Sequence, residues 1–366
     1  MKTKASIALY AALDLHARHC VLGAMTEDGR WLGSTQFPTG ARELAAQIEA
    51  LRSKHLQLTI EAGPMTRWAA GVARPHVERL VVCEPRENRL ISTSSCKRDG
   101  FDVRQLCRLL RLNELHEVWT GADPQREGFR AAVSDLLKLR DQQRTWKTLL
   151  KARFRQWGVT QVDGRRVYHP EGRQAYLNQL PPQAPRVLFE QLYLLHDTCL
   201  AAWKKAAHEV VRLGRAYPEI RRLRQVPGIG IIGAHVFSAI IETPERFATP
   251  QALWHYSQLG IIDRSSDGKP LGYERLDRRG HGELKNLSYH AWRTSCRSTT
   301  GDNGVKRYYQ ASLARTGAIR HARLNTQRKL LAVLWTLWRK GLDYDDQLFT
   351  PITSNCETPS GPMLWE

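Results

Sequence analysis

Four acidic residues in the first third of the chain are placed so that a sheet and one helix could bring their carboxylates to a single point. Asp14 lies inside an apolar run, ALYAALDLH, where a charge facing inward needs a compensating partner. Glu61 closes a second apolar run, LTIEAGP, beside a turn, and converges with Asp14 if the two strands pair. Asp99 and Asp102, in CKRDGFDVRQLCRLL, stand at i and i+3 at the start of an expected helix. That spacing puts both on one face, and a helix N-terminus favours negative charge. Four carboxylates at one place repel and raise one another's pKa. Two hard cations with oxygen ligands, magnesium or manganese, relieve the conflict. Such a pair can activate a water or hydroxyl and stabilise the leaving oxygen in phosphodiester cleavage. The alternative is local: Asp14 and Glu61 as strand-end turn residues, and Asp99 as the cap of the helix carrying Asp102.

The elements that must position these groups follow from hydrophobic periodicity. Residues 6–38 read as three strands, with Ala17-Arg18 and the hairpin signal Asp28-Gly29 at the turns. Leu44, Ile48 and Leu51 mark a helix, LQLTIEAG a fourth strand, and RLVVCEP a fifth, with Pro64 opening the helix between the last two. The order ββ-β-α-β-α-β predicts a mixed sheet covered by helices, the order of an α/β RNase H-like (RuvC-like) domain over 1–122. From Pro124 to Trp157 the pattern is one long helix. A Gly/Pro-rich break spans 159–185, and a second long helix runs from Arg186 to about Arg215. Together they predict an antiparallel, coiled-coil-like helical arm over 123–217. A mainly α-helical C-terminal domain, with a polar loop at 263–282, is expected over 218–348. A Pro/Ser/Thr-rich flexible tail is expected over 349–366.

Composition narrows the partners. The 366 residues carry 55 Lys+Arg against 36 Asp+Glu, a formal charge of +19, which a fold does not need and a phosphate polymer attracts. No stretch approaches the roughly 18 apolar residues of a spanning helix, so a membrane is not expected as partner. The N-terminus shows no secretory pattern. Seven scattered cysteines without a CxxC pair fit reduced thiols in a cytoplasm, and no histidine pair stands at transition-metal spacing.

Basic residues are patterned as well as abundant. Arg140, Arg144, Lys147, Lys151 and Arg155 recur at i+3/i+4 on the first arm helix, a stripe that could track a phosphate backbone or could be a solvated face. Pro227-Gly228-Ile229-Gly230 is similar to a helix-hairpin-helix turn. There the backbone N–H groups around Gly228 and Gly230 could bind phosphate, or the motif could be only a tight helix connection. Arg320, Arg323, Arg328 and Lys329 form a further basic cluster, beside Trp335 and Trp338, which read as core.

LDLH, IEAGP and KRDGFDVRQL, in that order, resemble the Asp/Glu/Asp/Asp motifs of DEDD-type insertion-sequence transposases, the bridge-RNA-guided recombinases related to the Piv DNA invertase. RLRQVPGIGIIGAHVFSAIIETPERFATPQALWHYSQLGI, RRGHGELKNL and AIRHARLNTQRKLLAVLWTLWRKGLDYD are similar to later parts of that family. The resemblance covers roughly residues 8–345. It implies a RuvC-like domain holding Mg2+ or Mn2+ on Asp14, Glu61, Asp99 and Asp102, an arm used for assembly, and a C-terminal domain with a nucleophilic serine. It further implies donor and target DNA as substrates, a structured noncoding guide RNA, and a homo-oligomer, dimer to tetramer. Its expected setting is a bacterial cytoplasm, at the nucleoid when bound to DNA. The chain departs from the pattern where the serine is expected. The family shows Gly-Leu-x-Pro and then Ser-Gly, whereas this chain reads Gly260-Ile261-Ile262-Asp263-Arg264-Ser265-Ser266-Asp267-Gly268. Ser266 is the expected nucleophile and Ser265 the runner-up, with Arg264 and Lys269 beside them to meet a phosphate. If Asp267 holds the slot, only metal-dependent cleavage remains. The alternatives are a Piv-like invertase without guide RNA and a catalytically inactive nucleic-acid-binding derivative.

Overall fold

The computed structural model describes residues 8–51, 53–85, 99–119, 121, 123–162, 164–266 and 269–350; side chains at 99–101, 124 and 263–274 are outside the description. The chain separates into two compact units, Met1–Pro124 and Gln125–Glu366.

The first unit is built on a five-stranded mixed sheet. Strands β1 (Leu9–Leu15), β2 (His19–Thr26) and β3 (Trp31–Pro38) form an antiparallel meander. After helix α1 (Ala41–Ala50), strand β4 (Leu56–Glu61) returns parallel to β1; after α2 (Thr66–Ala73), β5 (Arg79–Cys83) adds parallel to β4. The sheet order is β3-β2-β1-β4-β5. The central strands are apolar on both faces because both are covered. On one face Leu9, Ala11 and Leu13 pack with Leu44 and Ile48 of α1 and Ala69 and Ala73 of α2. On the other, Ala12, Val21, Met25 and Cys83 pack with Val103, Leu106 and Cys107 of helix α3 (Asp99–Arg111). Gly23 admits α3 closely, since a Cβ there would collide with Val103 and Trp31.

In the second unit, α4 (Pro124–Gln156) and α6 (Arg186–Gly214) are the long helices, joined through α5 (Pro170–Leu177). One end of this pair has its own core, where Leu150, Phe154, Val167, Phe189 and Tyr193 close on one another. The other end supplies Phe129, Val133, Leu136, Ala207 and Val210 to the largest core of the chain. That core is completed by α7 (Glu219–Leu223), α8 (Ile231–Ile241), α9 (Pro250–Tyr256), α10 (Gly282–Ser295), α11 (Gly304–Thr316) and α12 (Ile319–Lys340). Trp335 is buried in it and donates its indole N–H to the Pro244 carbonyl at 2.8 Å. The expected polar loop at 263–282 is instead largely a hairpin, β6 (Ile261–Ser266) with β7 (Lys269–Leu276). Ile261, Ile262, Leu271, Tyr273 and Leu276 supply the apolar and aromatic content that strands favour, and the dipeptide between the strands is Asp-Gly.

A buried ionic network fixes the base of the long helices to this core. Arg126 on α4 donates from Nη2 to Glu219 Oε1 at 3.0 Å and from Nη1 to the Ser238 carbonyl at 3.3 Å, while Ser238 Oγ donates to Glu219 Oε1 at 2.6 Å. The Glu219 side chain is only 5% exposed and that of Arg126 15%, and the guanidinium also lies 4.1 Å from the Tyr217 ring centroid. Arg130, one turn on, pairs with buried Glu242. The five described cysteines are all free, in line with reduced thiols; burial pushes the Cys107 thiol up to about 12, which makes it chemically inert. Among the described residues no helix is long and apolar enough to cross a membrane. Glu219→Ala strands the Arg126 charge in the core and is expected to cost about 3–5 kcal/mol; urea unfolding measures it, and the double change Arg126→Met with Glu219→Leu should recover most of the loss.

Candidate active site

Register places the first two carboxylates side by side. In the parallel β1–β4 pair Leu13 stands opposite Ile60, so the next residue on each strand is Asp14 and Glu61. Asp14 is opposite Val21, and Glu61 is opposite Cys83; both of those partners face α3. Residues opposite one another in a sheet share a face, so Asp14 and Glu61 emerge on the α3 side, at the end where β1 and β4 finish.

Helix α3 brings the other pair to that end. Its Cys107 thiol donates to the Gly23 carbonyl at 3.4 Å, and Arg111 Nη1 donates to the Glu27 carbonyl at 3.3 Å. It therefore runs in the direction of β2, opposite to β1, and its first turn with Asp99 and Asp102 lies toward the Asp14 end. One turn before Leu106, at i−4, stands Asp102.

The side chains show how far this convergence goes. The Asp14 carboxylate is 25% exposed, and Oδ2 is 3.2 Å from His16 Nε2, a partner the spacing LDLH contained but the sequence reading did not single out. Glu61 ends in an exposed position behind a fixed turn. Thr66 Oγ1 donates to the Glu61 carbonyl at 2.8 Å and accepts from Gly63 N at 2.7 Å, and Ala62 N bonds the Cys83 carbonyl. Asp102 is exposed, and the Asp99 side chain lies outside the described residues. Among the described residues no three His, Cys, Asp or Glu side chains close on a shared ion. Asp14, Glu61 and Asp102 offer oxygen donors, the kind that a hard divalent cation takes.

The serine segment belongs to the second unit. Ser266 is the last residue of β6, opposite Lys269, and Ser265 is opposite Pro270; the side chains of Arg264, Ser265, Ser266 and Lys269, and the whole of Asp267 and Gly268, lie outside the described residues. The hairpin root is well tied. Asp277 N donates to the Gly260 carbonyl at 2.9 Å, and Arg328 caps the Leu259 carbonyl from Nε and Nη2 at 2.8 and 2.6 Å. Burial would raise the Asp277 pKa, but the hydrogen bonds from Arg279 outweigh it and hold the group below its ordinary value.

The basic stripe on α4 divides by role. Arg140 is clamped, Nη1 and Nη2 each 2.8 Å from a Glu283 carboxylate oxygen, with Asp141 also bound. The Lys147 and Lys151 ammonium groups lie 5.4 and 5.5 Å from the Tyr168 ring centroid, and burial together with nearby Arg165 lowers the Lys147 pKa. Arg144 and Arg155 are exposed. In the Pro227–Gly230 turn, Gly228 adopts φ +83 and a Cβ would collide with the Ala291 carbonyl, so its first duty is close packing on α10. Gly230 caps α8 with open space before it, at the edge of a groove shared with Arg140, Glu283 and His290. In the C-terminal basic cluster Arg320 is exposed, Arg323 lies 5.7 Å from the Tyr289 ring, and burial lowers the Lys329 pKa.

The segment from α7 through the hairpin and α10 into α11 combines the Pro227–Gly230 turn with the tied hairpin. Residues 220–310 match the family model described as Transposase IS116/IS110/IS902 family, which supports an insertion-sequence transposase, a recombinase of a mobile element. No curated protein matches the chain. The four acidic positions lie outside the matched residues.

Because Arg140 is committed to Glu283, Arg140→Ala should leave DNA affinity nearly unchanged, while Arg144→Ala should weaken it and lower the salt slope by about 0.9; fluorescence anisotropy across a salt series compares them. Arg140→Ala should instead act on stability. The hydrogen bonds from Arg140 hold Glu283 below its ordinary pKa. The pair therefore stabilises fully above the ordinary glutamate range and loses that contribution as pH falls through the depressed value, a dependence the variant should lack in acid unfolding.

Proposed function

We propose that the chain is a metal-dependent DNA transposase whose first unit is an RNase H-like (RuvC-like) domain with Asp14, Glu61, Asp99 and Asp102 as its ligand set. The observation that carries the reading is the shared face and end of β1 and β4 beneath the start of α3, in a chain whose residues 220–310 match a transposase family. Mg2+ or Mn2+, when bound there, supplies activation of an attacking oxygen and stabilisation of the leaving one. The protein's own part is positioning. The parallel strand pair fixes Asp14 against Glu61, His16 orients the Asp14 carboxylate, and the Thr66 turn holds the end of β4.

In this reading Ser266 is the nucleophile of the second unit. Its Oγ forms a bond to a DNA phosphorus, the bond from phosphorus to one sugar oxygen breaks, and the serine proton ends on that sugar oxygen. The phosphodiester energy is kept in the serine ester for rejoining. Arg264 and Lys269, next in chain to the serines, would meet the phosphate charge. Donor and target DNA are the substrates, a structured noncoding RNA guides their pairing, and the working unit is a homo-oligomer. Asp267 ahead of Gly268 favours a second reading, in which the carboxylate site alone cuts and no serine ester forms.

Purified protein incubated with Mg2+ and DNA carrying the element's ends tests both. Asp14→Asn should lower strand cleavage by at least about a hundredfold, several kcal/mol of transition-state stabilisation, while sparing DNA binding. Full cleavage in that variant would end the metal reading. A covalent protein–DNA adduct lost in Ser266→Ala but kept in Ser265→Ala assigns the nucleophile, and cleavage that survives both changes assigns the chemistry to the carboxylates alone.

A further inference from the structure

From its middle to its C-terminus, α3 carries a different set of groups. Arg104, Arg108 and Arg111 recur at i, i+4 and i+7, and with Gln105, Met25 and Gly29 they line a concavity of about 280 Å³ between the helix and the β2–β3 turn. Among the described residues no carboxylate lines it. Asp28, in the turn, is engaged by the Thr26 hydroxyl, and that bond holds its pKa below the ordinary value. Arg111 forms the floor. Its guanidinium is bonded to the Glu27 carbonyl, packs under Gly29, and has a buried Nε with no hydrogen-bond partner. Arg104 and Arg108 are exposed, and the Arg104 guanidinium lies 6.0 Å from the Trp31 ring centroid.

Favourable placement near a helix C-terminus accounts for the charge of Arg108 and Arg111, which lie in the last turn. It does not account for Arg104 two turns earlier, or for three guanidinium groups bordering one hollow. The three positions span about 10 Å of helix, a length over which one strand of a duplex presents about three phosphates at 3.4 Å of axis each. We propose that Arg104, Arg108 and Arg111, from the middle of α3 to its C-terminus, form a binding site for the backbone phosphates of a nucleic acid. The arginine run begins about 3 Å of helix rise beyond Asp102 and ends about 14 Å beyond it. The site rests on the reading that this chain handles nucleic acid, and either DNA or RNA backbone offers the phosphate.

The test uses the full chain without divalent metal. Anisotropy titrations of a random-sequence DNA duplex and of a single-stranded RNA are run over a KCl series. For the polymer that occupies the site, Arg104→Ala with Arg108→Ala should lower the slope of log affinity against log salt by about 1.8 for the duplex or about 1.4 for the single strand. Arg104→Lys with Arg108→Lys keeps the charge and should keep the slope. In the unchanged protein, the bound polymer should shield Arg104 and Arg108 from phenylglyoxal, a readout that does not depend on the variants folding. Slopes unaltered on both polymers, with both arginines still modified in the complex, would overturn the proposal while leaving the transposase reading intact. Failure of the unchanged chain to bind either polymer would overturn that reading as well.

Discussion

Two carboxylates at the ends of adjacent parallel strands are electrostatically unfavourable, and the first unit is arranged around that constraint. The register that sets Leu13 against Ile60 also sets Asp14 beside Glu61. A slip of one residue would turn one of them toward the apolar face packed by α1 and α2, where a charge has no partner. The core on that face, with Leu13, Leu44, Leu58 and Ile60 fully buried, therefore enforces the approach of the two acids. Like charges held together by packing create a demand for a counter-charge. His16 stands beside Asp14, its Nε2 3.2 Å from Oδ2, and in the proposed reading a divalent cation would supply the counter-charge.

Rigidity in the second unit comes from a related device. Arg126, Glu219 and Ser238 join three helices through a buried charge pair to which the Ser238 hydroxyl and carbonyl add hydrogen bonds. Such a network contributes little net stability beyond a hydrophobic replacement, but it tolerates only one geometry. The long helix α4 leaves the core at a fixed angle for that reason, and Arg140 with Glu283 repeats the arrangement further along. The tip, with its separate core around Phe154 and Phe189, folds on its own contacts.

Much of this was legible in the sequence, in proportion to how local the signal was. The apolar runs in ALYAALDLH and LQLTIE and the spacing of Leu44 and Ile48 read directly as strands and helix, because burial marks each of them locally. The order of five strands followed from chain order. The hairpin at 261–276 was read as a polar loop because Arg264, Ser265, Ser266 and Lys269 mask a short alternation of Ile262, Leu271 and Tyr273. The Asp-Gly step that marks hairpins elsewhere was weighed there only as a departure from a serine motif. The face on which Asp14 and Glu61 emerge could not be read at all, since it depends on which helices cover which side. The same holds for the clamp on Arg140, whose partner Glu283 lies 143 positions away.

That last case bears on how the charge of +19 should be understood. Arg126, Arg130, Arg140 and Arg173 are held by carboxylates, and Arg328 spends its donors on a backbone carbonyl. These five are structural cations, and their exchange for neutral residues would act on stability more than on phosphate affinity. The groups open to a polyanion are exposed ones such as Arg144 on α4, Arg104 and Arg108 on α3, and Arg320 at the start of α12. Salt dependence counts only contacts that release ions from the polymer. The slope of binding against salt should therefore follow this exposed subset, and a count of basic residues overstates the grip by the number already committed to the fold.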